Sequence, residues 1–209
     1  MCKVFVLSDD SYEVSYLKRK DKRLAKAIEL VGTITYSPYE DAYVFLVHEI
    51  IEQMLSIKAG NCIFNRLVSA CDGPISPNSI MKLSDEQLRN TGMSGNKVTY
   101  IRSLTNAVVN GALDLESLSN LDDTQVIKQL SSVKGIGSWT SKMFLIFVLN
   151  RLDVLPFEDG AFLQSFQWLY GTRDKDKIKK VSKAWTPYSS IAARYLYRAL
   201  DLGFTKEKV

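Results

Sequence analysis

The sequence offers little from which a metal centre, a disulfide framework or a histidine relay is built. Its three cysteines, Cys2, Cys62 and Cys71, are an odd number, and no two form a Cys-x-x-Cys pair. That spacing argues against a disulfide scaffold and against a four-thiolate zinc or iron–sulfur site. Free thiols in a reducing compartment are expected. The one histidine, His48, supplies neither a His-rich metal site nor a Ser-His-Asp triad, and reads as structural. No stretch approaches the roughly 20 apolar residues of a membrane span, and the apolar run near the N-terminus is too short for a signal segment. The expected location is the cytoplasm, or the nucleus in a eukaryote. β-signals are equally scarce: residues 4–7 are the one β-like run, too short to found a sheet.

What is present is helical periodicity. The 209 residues, 46% hydrophobic and 24% charged, suffice for one sizeable domain or two small lobes sharing a core. A net charge of +4 permits a nucleic-acid partner without requiring one. Residues 23–31, 59–71, 97–109 and 138–150 read as helices, and residues 41–57, with Val44, Phe45, Val47, Ile50 and Ile51, as a central buried one. Residues 84–87 resemble a helix cap. Pro187 suits the first turn of a last helix ending near Leu202 and Gly203. The predicted fold class is all-α: one unit over residues 1–209 made of two helical lobes around a cleft, with a hairpin at about residues 131–140.

In that hairpin, Gly135-Ile136-Gly137 lies between two helical patterns. Two glycines let the backbone bend sharply and come close to a ligand. The following helix aims its first N–H groups and its dipole outward, which makes an anion site. A tight turn with no ligand fits the same residues. Asp159, at the start of a helix shortly after Pro156, reads as an N-cap; a fixed carboxylate there also suits stabilisation of a developing cation. Glu158 is the rival carboxylate, and the spacing from Pro156 favours Asp159.

Val133-Lys134-Gly135-Ile136-Gly137-Ser138-Trp139-Thr140-Ser141 resembles the helix-hairpin-helix segment of the DNA glycosylase superfamily, and Asp153-Val154-Leu155-Pro156-Phe157-Glu158-Asp159-Gly160 sits where that family places its catalytic aspartate. Three further segments resemble the DNA-3-methyladenine glycosylase II group: residues 51–59, residues 92–97 with Tyr100-Ile101-Arg102, and Trp185-Thr186-Pro187-Tyr188-Ser189-Ser190. The resemblance spans about residues 20–203. It implies base excision repair, with hydrolysis of the N-glycosidic bond of 3-methyladenine or 7-methylguanine flipped out of duplex DNA. Asp159 would stabilise the oxocarbenium ion and orient water. The best-known bacterial relative carries an N-terminal β-lobe; the short segment before residue 20 leaves no room for one, so the compact form is expected, as a monomer on double-stranded DNA with no membrane partner.

Bifunctional relatives carry a Schiff-base lysine two residues after the second hairpin glycine. Here Trp139 stands there, and an indole is no amine nucleophile, so the resemblance implies a monofunctional enzyme without a lyase step. The Trp139 face attracts a cationic base by about 0.5–2 kcal/mol; a core tryptophan is the plainer reading. Met143, Tyr188 and Tyr197 are further base-pocket candidates. Met143, where the best-known bacterial relative has a tyrosine, and Glu158-Asp159-Gly160 both depart from the commoner pattern and leave the lesion range open. The resemblance puts the DNA wedge in Gln53-Met54-Leu55-Ser56, with Met54 first and Leu55 next; both read equally as core. Phosphate contacts are expected from Gly135, Gly137, Trp139, Lys134, Lys97 and Lys142, with Lys58 and Arg102 as further basic candidates. The lysine run of residues 175–183 reads as a solvated helix face. No cofactor is required, but the superfamily's hairpin often holds a monovalent cation such as Na+ or K+ through backbone carbonyls, which fall here on Ser131, Val133 and Ile136. The alternatives are a noncatalytic helix-hairpin-helix DNA-binding module and a glycosylase for oxidised or deaminated purines, including a bifunctional one.

Overall fold

The computed structural model describes residues 3–206, which leaves Cys2 outside the described part. In chain order the elements are β1 (Phe5–Leu7), α1 (Tyr12–Lys20), α2 (Lys22–Val31), β2 (Ile34–Tyr36), α3 (Ala42–Glu52), α4 (Ile57–Ala70), α5 (Pro77–Lys82), α6 (Asp85–Asn90) and α7 (Gly95–Val109). They continue with α8 (Asp123–Ser131), α9 (Ser138–Phe147), α10 (Gly160–Tyr170), α11 (Lys175–Ser182) and α12 (Ser189–Asp201). The fold is all-α, apart from one small antiparallel ribbon. Among the described residues, no helix is long and apolar enough to cross a membrane.

Short polar side chains punctuate the chain. Asp21, Asp41, Ser56, Ser76, Ser84, Ser94, Asp122, Asp159 and Asp174 each accept an amide proton at the start of a helix. Ser84 and Gln87 form the reciprocal capping box that the sequence suggested. The chain divides into two compact units, one of Met1–Pro38 with Asn150–Val209 and one of Tyr39–Leu149.

The central unit is helical throughout its core. Leu46, Ile50 and Ile51 of α3, Leu67 of α4, Leu104 of α7 and Phe144 of α9 are fully buried, and α3 packs on α4, α7 and α9. The Tyr43 hydroxyl lies 2.7 Å from Thr105 Oγ1 in this interior, and burial pushes its pKa up to about 12.

The unit built from the two chain ends centres on one carboxylate. Asp21 Oδ1 caps α2 by accepting from the amides of Arg23 and Leu24. Its Oδ2 accepts from the Tyr170 hydroxyl at 2.7 Å and from the Trp185 indole N–H at 2.9 Å. Burial, and then the Asp21 charge, hold the Tyr170 pKa well above its ordinary value, so the hydroxyl stays a donor. Trp185, Tyr195, Phe162 and Phe166 are completely buried in the core of this unit.

Three expectations are corrected. Residues 4–7 do contribute to a sheet, because Phe5–Leu7 pairs with Ile34–Tyr36; stacking of Phe5 on Tyr36, with ring centroids 5.3 Å apart, compensates for three-residue strands. The helix over residues 41–57 stops at Glu52, since Met54 takes φ 59° and Ser56 caps a new helix. Pro187 precedes the last helix instead of starting it. It lies within a turn closed by Tyr188 N–H donating to Trp185 O at 2.7 Å, and Tyr188 is the N-cap of α12.

Asp21→Asn replaces an acceptor with a donor in front of Tyr170 and Trp185. We expect it to lower unfolding free energy by about 2–4 kcal/mol, through two buried donors left without partners, as measured by urea denaturation.

Candidate active site and DNA interface

Within the central unit, α8 and α9 are joined by a turn of six residues, 132–137. Val133 N–H donates to Leu130 O at 3.1 Å and Ile136 N–H to Val133 O at 3.1 Å. The side chains of Val133 and Ile136 point into the core, 5% and 4% exposed. The two glycines differ. Gly135 has φ +96°, and a Cβ there would collide with the Tyr100 ring. Gly137 is extended and faces open space. As N-cap of α9 it has no side chain with which to accept the first amides, unlike the Ser and Asp caps elsewhere. Glycine at 135 is required by the fold; glycine at 137 leaves the start of α9 open to a ligand. Lys134 is exposed, and Trp139 and Lys142 are half-buried, each with interactions in the fold. Met143, 5% exposed, belongs to the buried face of α9.

The segment between α3 and α4 lies against this hairpin. Gln53 Nε2 donates to Gly135 O at 2.9 Å. Met54 follows at φ 59° and is 102% exposed, with Leu55 at 40%. Neither is a core residue. The basic candidates divide. Lys58 is exposed on α4. Lys97 Nζ donates to Ile51 O at 2.7 Å, and burial lowers its pKa. Arg102 is corrected: its guanidinium is committed to Asp85 Oδ1 at 2.8 Å and to the carbonyls of Ile80 and Leu83, so it ties α5 and α6 to α7.

The terminal unit carries Asp159. A turn brings Asp159 N–H to Pro156 O at 3.0 Å, and Asp159 Oδ1 accepts from Phe162 N–H at 2.6 Å as the N-cap of α10. The residue is 9% exposed, whereas Glu158 is exposed. Tyr197 of α12 is half-buried. Tyr188 packs edge-on against Tyr12 and Tyr16, with centroids 6.2 and 5.3 Å away. Arg194, one turn before Tyr197, is buried with its guanidinium 3.9 Å from the Tyr36 ring centroid. The sequence reading missed it, because nothing local distinguishes it from a solvated helix arginine.

One trio among the described residues, His48, Glu49 and Glu52, brings potential metal-ligand atoms within 4.8 Å of one another. His48 Nε2 already lies 3.2 Å from Asn61 Oδ1 and 3.7 Å from Glu52 Oε1, and its ring packs edge-on to Phe64. A cavity of about 920 Å³ in the central unit is lined by Glu40, Asp41, Asp114 and Glu116 without a lysine or arginine, and by none of the candidate residues. Its charge is of the wrong sign for phosphate. The hairpin carbonyls of Ser131, Val133 and Ile136 are neutral hard oxygens, a donor set suited to an alkali cation rather than a transition metal.

Gly135→Ala should lower unfolding free energy by about 2–5 kcal/mol, from positive-φ strain and the Tyr100 collision. Gly137→Ala should stay within about 0.5 kcal/mol of the parent yet weaken duplex binding. Parallel denaturation and DNA titration check both.

Residues 47–188 match the model of the HhH-GPD superfamily of base excision DNA repair proteins. A curated relative, DNA-3-methyladenine glycosylase 1 of Schizosaccharomyces pombe, is 30% identical over 203 residues, covering 91% of this chain and 88% of its own. A DNA-3-methyladenine glycosidase structure from Bacillus halodurans superposes with TM-score 0.86 at 37% identity, covering 98% of this chain and 95% of that one. The S. pombe 3-methyladenine DNA glycosylase in complex with abasic DNA superposes with TM-score 0.83 at 28% identity, covering 91% of this chain and 97% of that one. With its hairpin and capped aspartate, this chain belongs to the HhH-GPD superfamily of base excision DNA repair proteins.

Proposed function

We propose that the protein is a monofunctional DNA glycosylase that hydrolyses the N-glycosidic bond of alkylated purines, 3-methyladenine and 7-methylguanine, flipped out of duplex DNA. The observation that carries this is Asp159: a nearly buried carboxylate, with one oxygen held by the Phe162 amide, in the segment where the sequence resemblance puts a catalytic aspartate. Relatives named for 3-methyladenine excision, one of them bound to abasic DNA, support the substrate class.

In this reading the α9 N-terminus and the hairpin backbone hold a phosphate, fixing register without reading sequence. Met54, with Leu55 beside it, enters the stack, and the target base leaves the duplex at a cost of a few kcal/mol. Trp139 offers its face to the cationic base, and Met143, Tyr188 and Tyr197 are the further candidates for contact with it. As the N-glycosidic bond breaks, positive charge builds on the sugar, and Asp159 stabilises it and orients the attacking water. The alkylated purine is already cationic, so its departure needs little acid catalysis. Trp139 in place of a lysine leaves water as the nucleophile. Lys134 and Lys142 add charge toward the phosphates. A monovalent cation held by Ser131, Val133 and Ile136 carbonyls would add positive potential at the hairpin. The enzyme would act as a monomer where the DNA lies, in the cytoplasm or nucleus.

The test is single-turnover base release from duplexes carrying 3-methyladenine, 7-methylguanine, hypoxanthine or 8-oxoguanine. Asp159→Asn should lose about 100- to 1,000-fold in excision, the scale of removing one electrostatic stabiliser, while retaining duplex affinity. Full activity in Asp159→Asn with loss in Glu158→Gln would move the role to Glu158. A preference for 8-oxoguanine or hypoxanthine would overturn the substrate class, and a borohydride-trapped DNA adduct would overturn the monofunctional mechanism.

A further inference from the structure

Gln53 links two parts of the central unit that are 82 residues apart in the chain. It sits at the C-terminal end of α3, and its side-chain amide donates to the Gly135 carbonyl at 2.9 Å. Two residues earlier, the Ile51 carbonyl accepts from Lys97 Nζ at 2.7 Å. Such carbonyls have no partner within their own helix, and a cation near them also complements the helix dipole. The chain is thus tied to α7 at Ile51 and to the hairpin at Gln53, while Tyr100 of α7 packs against the same Gly135. The next residue is Met54, wholly exposed on a positive-φ turn.

An exposed side chain on a turn has no packing of its own to aim it. To separate stacked bases it needs a support that does not recoil, and that support must be fixed relative to whatever grips the DNA. We propose that Gln53 is a positioning residue: its bond to Gly135 O makes the Met54 turn and the phosphate-gripping hairpin one rigid part, so that holding the backbone sets where Met54 enters the duplex. The proposal rests on the base-flipping reading above and names a residue that acts through Met54 rather than on the substrate.

The experiment is a double-mutant cycle. Gln53→Met keeps the length of the side chain and removes its donor; it is made in the parent and in Met54→Ala. The readouts are fluorescence of 2-aminopurine placed opposite a tetrahydrofuran abasic analogue, which reports insertion into the stack, together with single-turnover excision of 7-methylguanine, duplex affinity and Tm. In the parent, Gln53→Met should lower the fluorescence change and the excision rate about fivefold to tenfold, the scale of one net hydrogen bond. Duplex affinity should hold within about twofold, and Tm within a few degrees, roughly the shift of a sub-kilocalorie change. In Met54→Ala the same substitution should cost less than about twofold, because the part it positions is gone. Gln53→Glu, of the same shape but with an acceptor facing an acceptor, should lose at least as much as Gln53→Met. Equal losses in both backgrounds, no loss in either, or a loss matched by a fall in Tm would overturn the proposal. A parent protein that perturbs 2-aminopurine but releases no base would instead remove the glycosylase reading and leave the positioning role standing. Normal excision with additive losses would do the reverse.

Discussion

The hairpin closes because residue 135 carries no side chain. At φ +96°, with the Tyr100 ring where a Cβ would lie, only glycine lets the turn between α8 and α9 approach α7. That approach brings the Gly135 carbonyl within reach of Gln53, which in turn fixes where α3 ends. Four helices, α3, α7, α8 and α9, and the turn that presents Met54 therefore meet at one missing methyl group. Aromatic packing below and an amide above leave the turn few alternative shapes, as a surface that grips a stiff polyanion requires.

The terminal unit solves a different problem, that of keeping a carboxylate still. Asp159 is held by the turn from Pro156 and by the Phe162 amide, and α10 behind it is anchored through Phe162 and Phe166 in the core. That core depends on a second carboxylate. Asp21 accepts from two backbone amides, a phenol and an indole, joining α2 to α10 and to the segment before α12. One aspartate gathers four donors and ties the unit together; the other caps α10 and is the carboxylate proposed above for catalysis.

Most of the helices were legible in the sequence, because Ser, Asp and Asn caps and a 3.6-residue apolar period are local signals. The hairpin and Asp159 were legible for the same reason. What escaped depends on distant partners. The stop at Glu52 was masked by Met54 and Leu55, whose apolar side chains continue the helical pattern while the backbone leaves it. The strand Ile34–Tyr36 is three residues long and exists only beside Phe5–Leu7. Arg102 was a candidate phosphate contact simply as a basic residue of the segment Tyr100-Ile101-Arg102, yet its partners lie 17 to 22 residues away. The different parts played by Gly135 and Gly137 were not legible, because only the fold reveals the ring beneath one of them.

Met54 is the residue that a search for stability would discard. A non-glycine side chain in the left-handed region costs about 1–2 kcal/mol, and a fully exposed thioether gains nothing from burial in return. Glycine at that position would relax the backbone and remove apolar surface from water. On the wedge role proposed above, the free protein carries at this turn a debt that is discharged only when a base stack closes around the side chain. On that role, thermal robustness and DNA distortion pull this residue in opposite directions.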